Sequence, residues 1–263
     1  MLLEIIKEYK KIGVEENLNY EDFNKILITS HSTRIEGSTL TFEESVDLIQ
    51  TGNTPGGKNI LYSNQTIDHY HALNFVIKEA DKGRAISMEF IQEIGALVMK
   101  NTGEIFTNIN GTVDASKGEF RKTGVTAGSV SFMNYTKIIP AIGKLAAELN
   151  EVFPKQKNIR SQLELSFYAH YQLVTIHPFL DGNGRTSRLL MNFIQRKYGL
   201  PLGIIFAEDK ARYYETLNSV RETVSFEAYN LFMFSQYEKH LQLEINKQKR
   251  LDQDKDLSFT SGY

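Results

Sequence analysis

The 263-residue chain contains no cysteine, which excludes disulfides, thiolate metal sites and thiol nucleophiles. Nor does it lean toward one charge: 30 Lys and Arg stand against 32 Asp and Glu, a formal net charge of −2. That balance argues against a dedicated nucleic-acid or membrane surface, though it is compatible with a local basic patch. No apolar run approaches the roughly 20 residues of a membrane span; Leu202 to Ala207 is among the longest. Met1 to Lys7 lacks the basic region, apolar region and cleavage site of a secretory leader. No repeat with a period of about 20–50 residues stands out. These absences predict a cytoplasmic protein with no nucleic-acid and no membrane partner.

The rest is ordinary for a globular chain, with 41% hydrophobic and 24% charged residues and enough length to bury a full core. Helical signals dominate. Asn19-Tyr20-Glu21-Asp22 reads as a capped start of a helix that runs to Glu36 and closes at Gly37. Thr41-Phe42-Glu43-Glu44 is a capping box opening a short helix to Thr51-Gly52, followed by a Pro/Gly connector over 53–59. Further helices are predicted over 64–82, 87–100, 140–153, 159–176, 185–197, 208–222 and 225–248, and residues 249–263 read as a polar, fraying tail. Between them, Asn101 to Asn134 is rich in Gly, Thr, Ser and Asn, and Phe120, Val125, Ala127 and Val130 hint at a hairpin. The expectation is an all-α chain with one small β-hairpin. It divides into an N-terminal helical region (1–60), a core (61–248) and a tail (249–263).

The chain is organised around His177-Pro178-Phe179-Leu180-Asp181-Gly182-Asn183-Gly184-Arg185-Thr186-Ser187-Arg188, a loop between two helices. Pro178 stops the first helix and pushes His177 out of the α region. Gly182, Asn183 and Gly184 can turn successive N–H groups inward as an anion nest, which feeds a helix N-terminus that favours phosphate. Arg185 and Arg188 are three apart and share one face above the nest, which suits a polyphosphate. Asp181 is a hard oxygen ligand placed for Mg²⁺ bridging phosphates. His177 is the group here suited to general-base work near neutral pH.

This loop resembles the motif of the Fic (Fic/Doc) family, H-P-F-x-[D/E]-G-N-G-R-x-x-R, at every fixed position. The resemblance spans roughly residues 19–235. It implies the Fic fold, a helical bundle with a β-hairpin flap beside the active site, and transfer of AMP from ATP onto a protein hydroxyl. In that scheme His177 deprotonates a target Ser, Thr or Tyr and Asp181 holds Mg²⁺, with Mn²⁺ as the alternative ion. Gly182, Asn183 and Gly184 take the α- and β-phosphates, and Arg185 and Arg188 bind the β/γ end. Phe179 anchors the loop. Ser32-Thr33-Arg34-Ile35-Glu36-Gly37, read alone, is an ordinary helix C-terminus. Beside this motif it resembles the family's inhibitory pattern [S/T]-x-x-x-E-[G/N]. The N-terminal (class II) arrangement that this implies lays Glu36 against Arg188, with Ser32 and Gly37 framing it. Gly118-Glu119-Phe120-Arg121 followed by Val125-Thr126-Ala127-Gly128-Ser129 resembles the flap, whose open edge pairs with a target strand. The resemblance also puts Tyr213 and Tyr214 near the adenine, although core packing explains one of them equally well.

Partners implied are ATP and a protein with a hydroxyl side chain; a homo-oligomer is left open. Relatives with an N-terminal inhibitory helix often add a C-terminal winged helix, which is not expected after Gln248. Removal of AMP, with Glu36 orienting a water, is a rival use of the same site. A Doc-like phosphotransferase is disfavoured because that branch carries Lys where Gly184 stands. A non-catalytic ATP-sensing interaction protein is disfavoured because a sensor has no need of His177. His69 and His71, two apart on a helix, point to different faces and cannot share a metal. His170 lies two turns before His177, where it could support it, although a packed core role suits it better.

Overall fold

The computed structural model describes residues 2–16, 20–127 and 130–260, so the expected N-cap Asn19 and flap residue Gly128 lie outside the described residues. Two compact units emerge, Lys25–Leu202 and a second made of Met1–Asn24 with Gly203–Tyr263. None of the described helices is long and apolar enough to cross a membrane.

The larger unit is built around one helix, α8 (Asn183–Lys197), which is buried from Arg185 to Gln195. A helix buried all round needs neighbours on every side. They are α4 (Ile60–Asp81), α5 (Met88–Val98) and α7 (Ile159–Ile176), with α6 (Ile138–Val152) behind α7 and α3 (Phe42–Thr51) on α4. Leu189, Leu190, Phe193 and Ile194 of α8 are fully buried, and Phe193 meets Phe90 of α5 at 4.6 Å between ring centroids. Local chemistry sets the boundaries. Asn59, Ser87 and Asn158 each accept a backbone N–H at the start of α4, α5 and α7. Thr41 and Glu44 form the expected capping box at α3, and Gly52 ends it in the left-handed region.

Two departures from the sequence reading fall within residues 101–134 and 249–260. The first holds two hairpins rather than one: β1 (Ile105–Asn108) pairs antiparallel with β2 (Gly111–Asp114), and β3 (Thr126–Ala127) with β4 (Val130–Ser131). In the second, the polar stretch from Lys249, expected as a tail, continues α10 (Glu227–Thr260) as helix. Its Lys, Gln, Arg and Leu residues are good helix formers, and neither Gly nor Pro interrupts them before Gly262. Within this smaller unit α10 packs on α1 (Leu2–Lys11), an element the sequence reading omitted, and Lys249 pairs with Glu8 at 2.6 Å. The unit also holds α9 (Lys210–Thr223) and the first residues of α2 (Tyr20–Ile35).

One glycine of α5 links packing to the central loop. A Cβ added at Gly95 would lie 2.6 Å from Cζ of Phe179, whereas one added at Gly143 of α6 meets nothing within 4 Å. In a helix interior, Gly to Ala ordinarily stabilises by about 0.5–1 kcal/mol. Gly143→Ala should therefore raise the melting temperature. Gly95→Ala should lower it by an amount equivalent to about 1–3 kcal/mol, because the Phe179 ring must move in a packed core. Calorimetric melts of the two variants check the opposite signs.

Candidate active site

Helix α7 ends at His177, whose φ of 53° and ψ of 59° are left-handed. Its N–H still donates to Leu173 O, and its Nδ1 lies 3.2 Å from Val174 O. A carbonyl only accepts, so in the neutral ring Nδ1 carries the proton and Nε2 keeps its lone pair. The loop that follows is stapled by Asn183: its Oδ1 accepts from Phe179 N and its Nδ2 donates to Phe179 O, both at 2.9 Å. Phe179 itself is buried, against Gly95 and against Phe120 at 5.4 Å between centroids.

Gly182 is the residue before α8 and sits at φ 79°, with no room for a Cβ beside Val98 and Met99. It therefore meets both reasons for glycine, conformation and close approach. Having no side chain, it cannot cap α8, so the first N–H groups of that helix are left for an anion. Asp181 is largely exposed; its carboxylate accepts from Gly182 N and pairs with Arg185 Nη2 at 3.1 Å. Arg185 is buried, and among the described residues its Nε and Nη1 have no hydrogen-bond partner. A buried guanidinium with unfilled donors is costly unless an anion completes it.

Arg188 is 4% exposed and is completed by the end of α2. Its Nε donates to Ser32 Oγ at 2.9 Å and its Nη2 to Ser32 O at 3.0 Å and Glu36 Oε1 at 2.6 Å. Gly37, at φ 103°, turns the chain away directly after Glu36. The same Glu36 Oε1 lies against Gly184, where an added Cβ would collide with it. The carboxylate thus occupies the α8 N-terminus beside Arg188, the position an anionic ligand of that helix would take.

The β3–β4 hairpin borders His177. Phe132 N donates to Val125 O across its base, and the Phe132 ring stacks on the imidazole at 3.7 Å and 17°. Thr126 and Ala127 form the first strand. The sequence placed Arg121 in the flap resemblance but gave no contact for it and no role to Phe132, because bonds to backbone carbonyls and ring stacking leave no spacing signature. Tyr213 and Tyr214 belong to α9 in the other compact unit. There Tyr213 is buried against Phe232, and Tyr214 is 39% exposed.

Below the loop lie two wholly buried histidines. His71 is exposed, but His69 is buried and bonds Thr29 Oγ1 through Nδ1 at 3.1 Å. Burial, aided by the positive charges of Arg188 and Arg185, holds His69 far below the ordinary imidazole range. Burial and then Arg188 push His170 down to about 3. Unfolding lets both rings take a proton below pH 6.5, which the folded state refuses, so stability falls as pH falls below that value. Each histidine contributes a slope of up to about 1.4 kcal/mol per pH unit. Urea midpoints should drop between pH 7 and 5; the carboxyl of Asp68, raised by burial, acts with opposite sign, so the histidine contribution is read as the difference between the parent and a histidine variant. His170→Gln should flatten that slope.

Residues 85–195 match the family model described as Fic/DOC family. A protein named Protein adenylyltransferase Fic from Nematostella vectensis is 33% identical over 193 residues, 72% of this chain. The chain spans only 41% of that relative's length. Among solved structures, a Fic domain containing signaling protein from Bacteroides thetaiotaomicron superposes with a TM-score of 0.80 at 24% identity, covering 94% of this chain and 97% of the other. Fic-1 from C. elegans gives a TM-score of 0.77 at 25% identity, over 95% of this chain and 72% of the other. Helices, the loop from His177 to Arg188 and these likenesses agree: the chain belongs to the Fic/DOC family and carries its domain at residues 85–195.

Proposed function

We propose that the protein transfers AMP from MgATP to a Ser, Thr or Tyr hydroxyl of another protein, and that Glu36 held against Arg188 keeps it inactive at rest. The observation that carries this reading is the uncapped N-terminus of α8 beside buried Arg185, whose Nε and Nη1 are unfilled among the described residues. A polyphosphate supplies what that cradle lacks, and the name of the sea-anemone relative supports AMP transfer as the reaction. Nε2 of His177, at the other end of the same loop, takes the proton of the target hydroxyl as its oxygen bonds to the α-phosphorus. The α–β bridging P–O bond breaks and pyrophosphate leaves. Gly182 to Gly184 hold the α- and β-phosphates by backbone N–H groups, and Arg185 and Arg188 hold the β/γ end. Asp181, an exposed carboxylate at the mouth of the cradle, would be the residue to hold Mg²⁺ or Mn²⁺. Such an ion would supply neutralisation of phosphate charge. The edge formed by Val125, Thr126 and Ala127 receives the target's backbone as an added strand.

Inhibition follows from the anion competition at α8. The Glu36–Arg188 bond, partly shielded from water, is worth about 1.5–3 kcal/mol. If it must open before ATP binds productively, activity is lowered by about 10- to 100-fold. Glu36→Gly should raise target or self labelling from α-labelled ATP by that order, with no label from γ-labelled ATP. The same gain should vanish in Glu36→Gly with His177→Ala. Label arriving from the γ position, or labelling that survives loss of His177, would overturn the proposed reaction. Unchanged labelling in Glu36→Gly, with a competent target present, would overturn the inhibition.

A further inference from the structure

Arg121 is 2% exposed, and among the described residues all its hydrogen-bond acceptors are carbonyl oxygens. Burying a guanidinium without a counter-ion is expensive, so the fork it satisfies has to matter to the fold or to the site. Its Nε donates to His177 O at 2.7 Å, its Nη1 to Thr123 O at 2.6 Å and its Nη2 to Met133 O at 2.6 Å. Its backbone N–H adds a bond to Pro178 O at 2.9 Å. Thr123 enters the β3–β4 hairpin and Met133 leaves it, so one planar side chain joins both feet of the hairpin to the peptide of His177. The joint is anchored on both sides. Phe120 packs on Phe179, and Gly118 lies so close to Gln92 O of α5 that a Cβ there would collide with it.

We propose that Arg121 is a positioning residue that locks the backbone of His177 to both strands of the flap, so that engagement of the target strand and alignment of the base are set by one fork. This rests on His177 as base and on the β3–β4 hairpin as the target's docking edge. Phe132 completes the coupling, since a shift of its strand moves the ring stacked on the imidazole. Lysine in place of Arg121 keeps a positive charge but cannot reach three diverging carbonyls at once. The hairpin and the base then lose their common reference, while the phosphate cradle of α8, which Arg121 does not touch, is left as it is.

The test uses full-length protein carrying Glu36→Gly, so that resting inhibition does not mask rates. Arg121→Lys should lower kcat for transfer by about 10- to 100-fold, the cost of a misaligned reacting group. The ATP Kd should stay within about twofold, because the cradle is intact. In NMR spectra of labelled histidine, the upfield shift that the Phe132 ring imposes on the His177 ring protons should shrink in the variant. A packing role alone would lower melting temperature and nucleotide affinity without that separation. Unchanged kcat in a folded Arg121→Lys protein overturns the proposal. So does equal loss of ATP affinity and kcat. If the variant fails to fold, the unsubstituted protein decides: the Arg121 Nε proton should exchange slowly, and exchange as fast as that of an exposed arginine overturns the lock. Transfer that persists in His177→Ala would instead overturn the functional reading beneath it.

Discussion

A guanidinium cannot shed its charge, so wherever the fold buries one, something must answer it. Arg188 is buried on the helix around which the larger unit is built, and the answer comes from one turn of α2: the hydroxyl and carbonyl of Ser32 and the carboxylate of Glu36. Removing one partner of such a buried pair typically costs about 3–5 kcal/mol. The end of α2 is therefore held on α8 by a debt of charge, and Gly37 provides the turn that lets α2 stop there. In the proposed function, the same contact would make the resting site and the working site exclude each other. A ligand that replaced Glu36 there would itself have to be anionic, to answer Arg188 and the uncapped N-terminus of α8.

His177, the base of the proposed reaction, is held by different means. His177 sits in a left-handed conformation at the end of α7, its Nδ1 turned onto Val174 O and its ring face covered by Phe132. The staple between Asn183 and Phe179 fixes the four residues that separate the base from the nest. Both ends of the loop are thus held by contacts within the chain itself.

Much of this was legible in the sequence, for identifiable reasons. Turn chemistry is local, so Pro178, Gly182 and Gly37 announced their roles, as did the capping box at Thr41 and Glu44. The order of His, Asp, Gly and Arg between 177 and 188 named the loop. Other features depended on partners far away in the chain. Arg121 is bound to backbone carbonyls 56 residues away and nearby, which no residue type advertises. The β1–β2 hairpin exposes Ile105 and Phe106 rather than alternating them against a core, so its strand signal was weak. The last turns of α10 carry no apolar period, yet the helix persists on intrinsic propensity and the contact with Glu8. Tyr213 could be read in the sequence either as a residue near the adenine or as core, and it is buried against Phe232.

The claim on which all of this turns is that Glu36 and Arg188 attract each other strongly in the resting protein. A double-mutant cycle measures that attraction directly, with urea unfolding of the parent, Glu36→Gln, Arg188→Met and the double variant. A coupling energy of about 1.5–3 kcal/mol is expected for a shielded, charge-assisted bond of this length. Single-variant losses that simply add, giving a coupling within about 0.5 kcal/mol of zero, would contradict it.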